Sequence, residues 1–350
     1  MKIRIKNKFL GENEPVFFIA EAGVNHNGST EYAYKLIDIA VSSGADAVKF
    51  QTFKAENLNT KEAPKSTYHI DTTGSDKEQS WFELLKTQEI SLQMHKDLID
   101  YCSKKNIIFL STPYDEESAD LLDSLNVPAF KMASTDTNNI PLLKHVARKK
   151  KPMIISTAMC DFNEVKDAYN AIIEEGLTKI VICQCTGNYP SRLKDSNINV
   201  IKTYKDNFDC VIGYSDHTQD YINPILAVGV GASVYEKHFT IDKKMPGPDH
   251  RMSLEPNELK KQISLLRKAE LSMGNENKFI LDDEKENRIK LRKSVVAARD
   301  ININETISIE MLTIKRPGNG IEPKEIYNIV GKKAIKKIKK DTLLDNNCFS

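Results

Sequence analysis

Two of the seven histidines sit in closely matched settings. His217 closes the run Ser215-Asp216-His217 and His238 closes Glu236-Lys237-His238, each at the end of an apolar, β-branched stretch. Side chains alternate faces along a strand, so Ser215 shares a face with His217, and Glu236 with His238. Two neutral imidazoles on neighbouring strands, with carboxylates nearby, suit a divalent transition metal that keeps positions open for water and substrate. A pair of hydrogen-bonded core histidines is the competing reading, and spacing alone leaves both standing. Two lysines, Lys49 and Lys131, are embedded in similar apolar stretches, which argues against a surface role. A lysine there is either a Schiff-base nucleophile, as in class I aldolases, or a fixed charge for a carboxylate or phosphate. Hydroxyls end the same stretches (Ser111, Thr112, Ser134, Ser156, Ser215) and favour the second role, because a small, multiply charged anion needs many donors. Phosphoenolpyruvate is such an anion.

These residues need a frame that brings strand ends together. Short β-rich runs recur at 16–22, 47–52, 107–112, 129–134, 153–157, 180–185, 211–215 and 233–239. Segments with helical spacing lie between them, at 30–43, 91–104, 116–125, 140–148, 163–175 and 221–230. That alternation predicts βαβ units and a parallel sheet. Eight strands close a (β/α)8 TIM barrel, whose C-terminal strand ends form the active site. Nearly every run ends in polar groups: Glu21 with Asn25 and His26, Lys49 with Gln51, Thr186 with Asn188 and Tyr189. An open doubly wound sheet is the rival, but no G-x-G-x-x-G follows any run. The polar segment 54–89, which holds the only tryptophan, Trp81, reads as a lid or specificity loop, with a disordered excursion as the alternative.

Bulk composition narrows the function classes. A formal net charge of +1 offers no global field for nucleic acid or an anionic membrane. Six scattered cysteines form no C-x-x-C pair and read as reduced thiols of a cytoplasmic protein. The first ten residues lack the apolar core of a signal peptide, and no run approaches the roughly 18 apolar residues of a membrane span. Residues 1–272 are expected to form the barrel, 273–290 a charged linker, and 291–350 a small domain with strands at 294–298 and 306–312. A piece of about 60 residues is only marginally stable alone, so it should dock on something. Its lysine run, from Lys332 to Lys340, reads as a solvated face.

The chain resembles the sialic acid synthase family. The resemblance rests on Glu21-Ala22-Gly23-Val24-Asn25-His26-Asn27-Gly28, Val48-Lys49-Phe50-Gln51-Thr52, Phe130-Lys131-Met132-Ala133-Ser134, Gly213-Tyr214-Ser215-Asp216-His217-Thr218, Glu236-Lys237-His238-Phe239-Thr240 and Lys315-Arg316-Pro317-Gly318-Asn319-Gly320, in collinear order. It implies a catalytic barrel followed by an antifreeze-like (SAF, β-clip) domain that is swapped between the subunits of a homodimer. It implies that His217 and His238 bind a divalent metal, manganese first, with magnesium or cobalt as the other candidates. Lys49, Thr112, Lys131, Ser134, Ser156 and Ser215 would hold phosphoenolpyruvate. Gln51, Tyr189 and Asp249 would contact an N-acetylated hexosamine, Glu21 would orient a water, and Arg316 would reach into the partner subunit's site. The product would be N-acetylneuraminate or, as the alternative, N,N'-diacetyllegionaminate.

Two positions depart from the family pattern. Ser156-Thr157-Ala158-Met159 stands where the family usually has glycine third, and Cys185-Thr186-Gly187-Asn188 where it has asparagine or threonine third. A phosphate contact is thereby lost or taken over by Asn188. Besides a Schiff-base aldolase or a 3-deoxy-sugar-phosphate synthase, the rival from another class is a non-catalytic carbohydrate- or ice-binding protein built on the C-terminal domain.

Overall fold

Strands that are covered on both faces need apolar residues at every position, which is why the eight runs read as continuous and not alternating. In the computed structural model, which describes residues 1–350, a short hairpin comes first: β1 (Lys2–Ile5) and β2 (Lys8–Gly11). The eight runs follow as β3 (Phe17–Gly23), β4 (Ala47–Thr52), β5 (Ile108–Pro113), β6 (Phe130–Met132), β7 (Met153–Ser156), β8 (Ile180–Cys185), β9 (Val211–Asp216) and β10 (Val234–His238). All eight are parallel, in the order β5-β4-β3-β10-β9-β8-β7-β6. The two end strands, β5 and β6, lie side by side without a hydrogen-bonded ladder, so the ring is a nearly closed TIM-like barrel.

Helices return the chain between strands, and their limits follow from local chemistry. The helix Phe162–Glu174 is typical. The Asp161 carboxylate accepts from the Asn163 and Glu164 amides while Glu164 accepts from the Asp161 amide, a capping box. Such a cap contributes about 1 kcal/mol. Val165, Ala168 and Ile172, three and four residues apart, form the buried stripe that faces the sheet. The helices not read from the sequence include Val200–Asn207 and the long Pro256–Met273.

Inside the ring, Phe17, Ile19, Leu110, Ile154, Val181, Val211 and Val234 pack in one cluster with Ile3, Ile5 and Leu10 of the hairpin. The N-terminal hairpin therefore stoppers one end of the barrel. Continuing by twos from the cluster residues of β3, β9 and β10 leads to Glu21, Ser215 and Glu236, so polar groups succeed apolar ones at the other end of the same inward face.

The chain divides into two units, Met1–Gly274 and Asn275–Ser350. The segment expected to be a linker carries a helix, Asp282–Leu291, with no buried residue. Beyond it, β11 (Ser294–Ala297) pairs antiparallel with β12 (Leu312–Lys315) over a core that includes Val295, Ile301, Ile307, Ile338 and Leu344. The strand expected at 306–312 is displaced: Thr306 makes one isolated bridge to Lys333, residues Ile309–Met311 form a 3-10 turn, and pairing starts at Leu312. The six lysines of the run are exposed, as a solvated face requires. All six cysteines are free, and no helix is long and apolar enough to cross a membrane.

The turn after β3 makes a prediction. His26 is fully buried; its Nδ1 accepts from the Gly28 amide, and its Nε2 has no partner. Burial first, then the imidazoles of His95 and His250, pull it from 6.5 down to about 4. The unfolded chain takes up this proton near 6.5 and the folded chain only near 4, so neutral His26 contributes stability that is complete above 6.5 and lost as pH falls to 4. Between pH 7 and pH 5 the parent should lose about 2 kcal/mol more stability than His26→Gln. Urea unfolding at both pH values checks this, and equal losses in the two proteins would refute it.

Candidate active site at the barrel mouth

Four strands, β3, β4, β6 and β10, place a cluster of two ammonium groups and two carboxylates toward the open end of the barrel. Lys49 (β4) lies 3.1 Å from Glu21 (β3) and 3.6 Å from Glu236 (β10), and it donates to Thr112 Oγ1 (β5) at 3.0 Å. Lys131 (β6) lies 3.5 Å from the same Glu236 oxygen and donates to Ser156 Oγ (β7) at 2.6 Å. Ser215 (β9) donates to that oxygen at 3.3 Å. One Glu236 oxygen thus spans both lysines, while its other oxygen is buried without a partner.

The charges in this cluster are unequal. For Glu236, burial opposes ionisation, but Lys131 and Lys49 outweigh it and hold the carboxyl below its usual range. For Glu21, burial dominates, Lys49 opposes it, Glu236 adds to it, and the carboxyl is pushed up to about 7. Lys49 also resists burial: the two carboxylates raise it above its ordinary value. Near neutral pH the cluster therefore holds two ammonium groups against one full and one partial carboxylate. The excess is positive, in a place that water barely reaches, and it suits a small anion.

A bulge between Glu21 and Gly23 ends β3 and turns the chain over the cluster. Gly23 has φ +53°, and a Cβ there would stand 3.3 Å from Asp249 Oδ2, 3.3 Å from Gln51 Nε2 and 3.4 Å from Glu21 Oε1. Those three groups meet over a backbone that must stay bare. Gln51 donates to Glu21 Oε1 at 3.3 Å. Burial lifts Asp249 to about 6 against the pull of His217 and Lys49.

The two imidazoles lie beside this cluster, with ring centroids 5.4 Å apart. His217 Nδ1 faces the Thr186 carbonyl at 2.6 Å, and a carbonyl only accepts, so Nδ1 carries a proton; burial opposes a charge on this ring, but Cys185 and then the Thr186 carbonyl outweigh it and hold His217 above its ordinary value. His238 Nδ1 is buried without a hydrogen-bond partner, and Asp249 Oδ2 is 3.9 Å away. Burial, then His217 and Lys49, hold His238 well below its usual value, so it is neutral. Two imidazoles side by side, one neutral with an orphaned nitrogen and one with Nδ1–H turned to a carbonyl so that Nε2 is the nitrogen left for a ligand, fit a divalent ion, which would displace any proton on Nε2. No group of three or more His, Cys, Asp or Glu side chains forms a metal cage, so a two-imidazole site would leave most positions to water and substrate. Tyr189 packs on both rings, at 4.2 Å from His217 and 6.0 Å from His238.

A NeuB family model matches residues 36–278 and a SAF domain model matches residues 292–350. The chain belongs to the NeuB family. A relative from Campylobacter jejuni, an N,N'-diacetyllegionaminic acid synthase, is 43% identical over 328 residues, 93% of this chain and 98% of the relative. The N-acetylneuraminate-9-phosphate synthase of Mus musculus is 36% identical over 336 residues, 95% of this chain and 92% of that one. Among solved structures, the spore coat polysaccharide biosynthesis protein SpsE of Bacillus subtilis aligns with a TM-score of 0.69 at 37% identity, covering 100% of this chain and 99% of that chain.

Within this NeuB-family chain, Glu21, Lys49, Thr112, Lys131, Ser156 and Ser215 come together as one hydrogen-bonded and ion-paired cluster, with Gln51, Asp249, His217, His238 and Tyr189 around it. Ser134 is half-buried, and its Oγ accepts from the Ala158 amide at 3.0 Å. Asn188 is exposed; only its carbonyl is engaged, by Ser191 Oγ at 2.8 Å. Arg316 is exposed in the second unit and makes no ion pair. The two departures from the family pattern touch each other. A Cβ on Gly187 would lie 3.1 Å from Met159 Cγ and 3.3 Å from the Ala158 methyl, so the larger residue at 158 leaves room only for a small one at 187.

Two groups were not singled out as site residues in the sequence. Glu236 bridges the lysines, and its place two residues before His238 was the available signal. Asp216 and Lys237 point the other way, outside the ring, and form a fully buried ion pair at 2.9 Å. Asp216 also accepts from Tyr235 Oη at 2.7 Å and from the Thr218 amide at 2.9 Å, and Lys237 donates to the Thr218 carbonyl. This outward clasp joins β9 to β10 between the residues that face inward. Ser111 and Thr157 also face outward: Ser111 meets Thr52 at 2.7 Å, and Thr157 donates to the Cys183 carbonyl at 2.9 Å.

Proposed function

We propose that this NeuB-family chain joins phosphoenolpyruvate to an open-chain N-acetylated hexosamine and releases inorganic phosphate, forming a nonulosonate. The observation that carries the reading is the positively biased lysine cluster lying beside a pair of imidazoles at the same barrel mouth. Lys49, Lys131, Thr112, Ser134, Ser156 and Ser215 are assigned to the anion; Gln51, Tyr189 and Asp249 are assigned to the sugar. In the reaction, C3 of phosphoenolpyruvate bonds to the sugar aldehyde carbon, a water oxygen adds to C2, and the C2–O bond breaks to free phosphate. A divalent ion, manganese first, would be held by His217 and His238 and would polarise the aldehyde. Lys49 and Lys131 neutralise charge on the departing phosphate from fixed positions. Glu21, close to half-protonated near neutral pH, is suited to orient the water and move its proton.

An aldolase needs a neutral lysine amine. Lys49 is an ammonium group held by two carboxylates and is better suited as a fixed charge. Phosphate release with phosphoenolpyruvate, manganese and either N-acetylmannosamine or 2,4-diacetamido-2,4,6-trideoxymannose tests the reading; the first sugar gives N-acetylneuraminate and the second N,N'-diacetyllegionaminate. A non-catalytic carbohydrate binder would release none. His217→Ala should lose manganese binding, read by electron paramagnetic resonance, and turnover together. Full turnover by the metal-free variant would end the scheme.

We also propose a homodimer in which Arg316 serves the partner subunit's site, supported by its exposed, unpaired guanidinium. A sedimentation-equilibrium mass of one chain would rule that out.

A further inference from the structure

The segment 54–89, which follows β4, is tied together by its own hydrogen bonds. It carries three short helices, Ala55–Leu58, Thr67–Thr73 and Trp81–Gln88. The Lys65 amide donates to Asp76 Oδ2 at 3.1 Å and its ammonium group to the Gly74 carbonyl at 3.0 Å, which closes the loop around the middle helix. Ser66 caps that helix by accepting from the His69 amide, and the His69 ring stacks on Trp81 with centroids 4.2 Å apart. Tyr68, held between these anchors, is fixed in direction.

Tyr68 points at the sugar side of the proposed site. Its ring lies 6.1 Å from Tyr189, which in turn packs on both imidazoles. Its hydroxyl is buried and has no hydrogen-bond partner in the protein; the Met252 backbone approaches without reaching bonding geometry. Burial, then the Asp249 carboxylate, push the phenol far above its ordinary value, so it stays a neutral donor. A buried hydroxyl left unpaired costs about 1–3 kcal/mol. Phenylalanine would fill the same space without that cost, so the hydroxyl is better explained by a partner that arrives with the substrate.

We propose that the Tyr68 hydroxyl hydrogen-bonds the acceptor sugar at the end remote from its aldehyde, making Tyr68 a specificity-determining residue. The remote end follows from the order of the rings: Tyr189 stands next to the histidines, and Tyr68 stands one ring farther out. This assignment rests on the condensation reading above.

The test is Tyr68→Phe in the full chain, with manganese and phosphoenolpyruvate and each of the two sugars in turn. The sugar KM should rise about tenfold for the sugar that is turned over, while the KM for phosphoenolpyruvate stays within twofold. Without substrates, the variant should melt at or above the parent temperature, because an unpaired buried hydroxyl has been removed. An active parent with an unchanged sugar KM in the variant overturns the assignment alone. A lower melting temperature gives the hydroxyl a partner within the protein and overturns it too. A parent that releases no phosphate with either sugar overturns the condensation reading, and the assignment with it.

Discussion

Lys131→Met should lower kcat/KM for phosphoenolpyruvate by about a thousandfold, or about 4 kcal/mol of transition-state stabilisation. The size follows from where the charge sits. Lys131 is only 2% exposed, the middle residue of the three-residue strand β6, with its ammonium fixed by Ser156 Oγ at 2.6 Å and the Met132 carbonyl at 3.1 Å. A fixed cation in a low-dielectric site stabilises a leaving phosphate far more than one in water, because nothing reorganises when the charge develops. Its removal leaves Glu236 facing only Lys49, at 3.6 Å, and tilts the cluster toward negative charge. Arginine should not restore activity, since its planar fork cannot occupy the space of a compact ammonium between Ser156 and Glu236. Steady-state kinetics against each substrate, with circular dichroism to confirm folding, decide the matter. A loss below tenfold would remove Lys131 from the anion site.

Lys237→Met should destabilise the first unit by about 3–5 kcal/mol, through a residue that faces away from the site. Lys237 and Asp216 are buried together behind the strands, and Asp216 lies beneath Tyr235, Thr218 and Gln262. Burial alone would raise Asp216; Lys237 chiefly offsets it and brings the carboxyl below its ordinary value. Without the lysine a carboxylate is stranded in an apolar layer, which is the costly half of breaking a buried pair. Adding Asp216→Asn should recover part of the loss, because the amide carries no charge. Urea unfolding followed through Trp81, the only tryptophan and a residue of the first unit, isolates the relevant transition. Manganese affinity should fall as well, since Asp216 sits between Ser215 and His217 and sets which way both face. A loss below about 1 kcal/mol would show the pair to be ornamental.

Much of this arrangement was legible before any coordinates. The eight runs predicted as strands are the eight strands of the barrel, displaced by a residue or two at their ends. They were readable because continuous β-branched runs bounded by polar residues have few other structures open to them. Pairing by twos put Ser215 on one face with His217, and Glu236 with His238; Ser215 meets Glu236 at 3.3 Å and the two imidazoles lie 5.4 Å apart. Elements whose signal is weak or borrowed from elsewhere were harder. The four-residue strands of the N-terminal hairpin carry apolar residues only at Ile3, Ile5 and Leu10 on their buried side, and what makes them strands is the barrel interior they stopper. The helix Asp282–Leu291 has no apolar face at all and was read as linker for that reason. The strand expected at 306–312 has the right composition, but antiparallel pairing with Ser294–Ala297 falls on Leu312–Lys315 instead.

What the amino-acid order determined by itself was periodicity: which residues lie on strands, which face they share, and so which chemical groups end up at one mouth. Distances between groups far apart in the chain were decided only by tertiary structure. That Glu236 spans two lysines, that Lys237 turns outward to a carboxylate, and that the Tyr68 ring comes to lie near Tyr189 with its hydroxyl unpaired all depend on ring order and on how one segment packs against another. Local sequence fixes direction along a strand through backbone sterics, but proximity across strands is set by packing, and packing belongs to the whole fold.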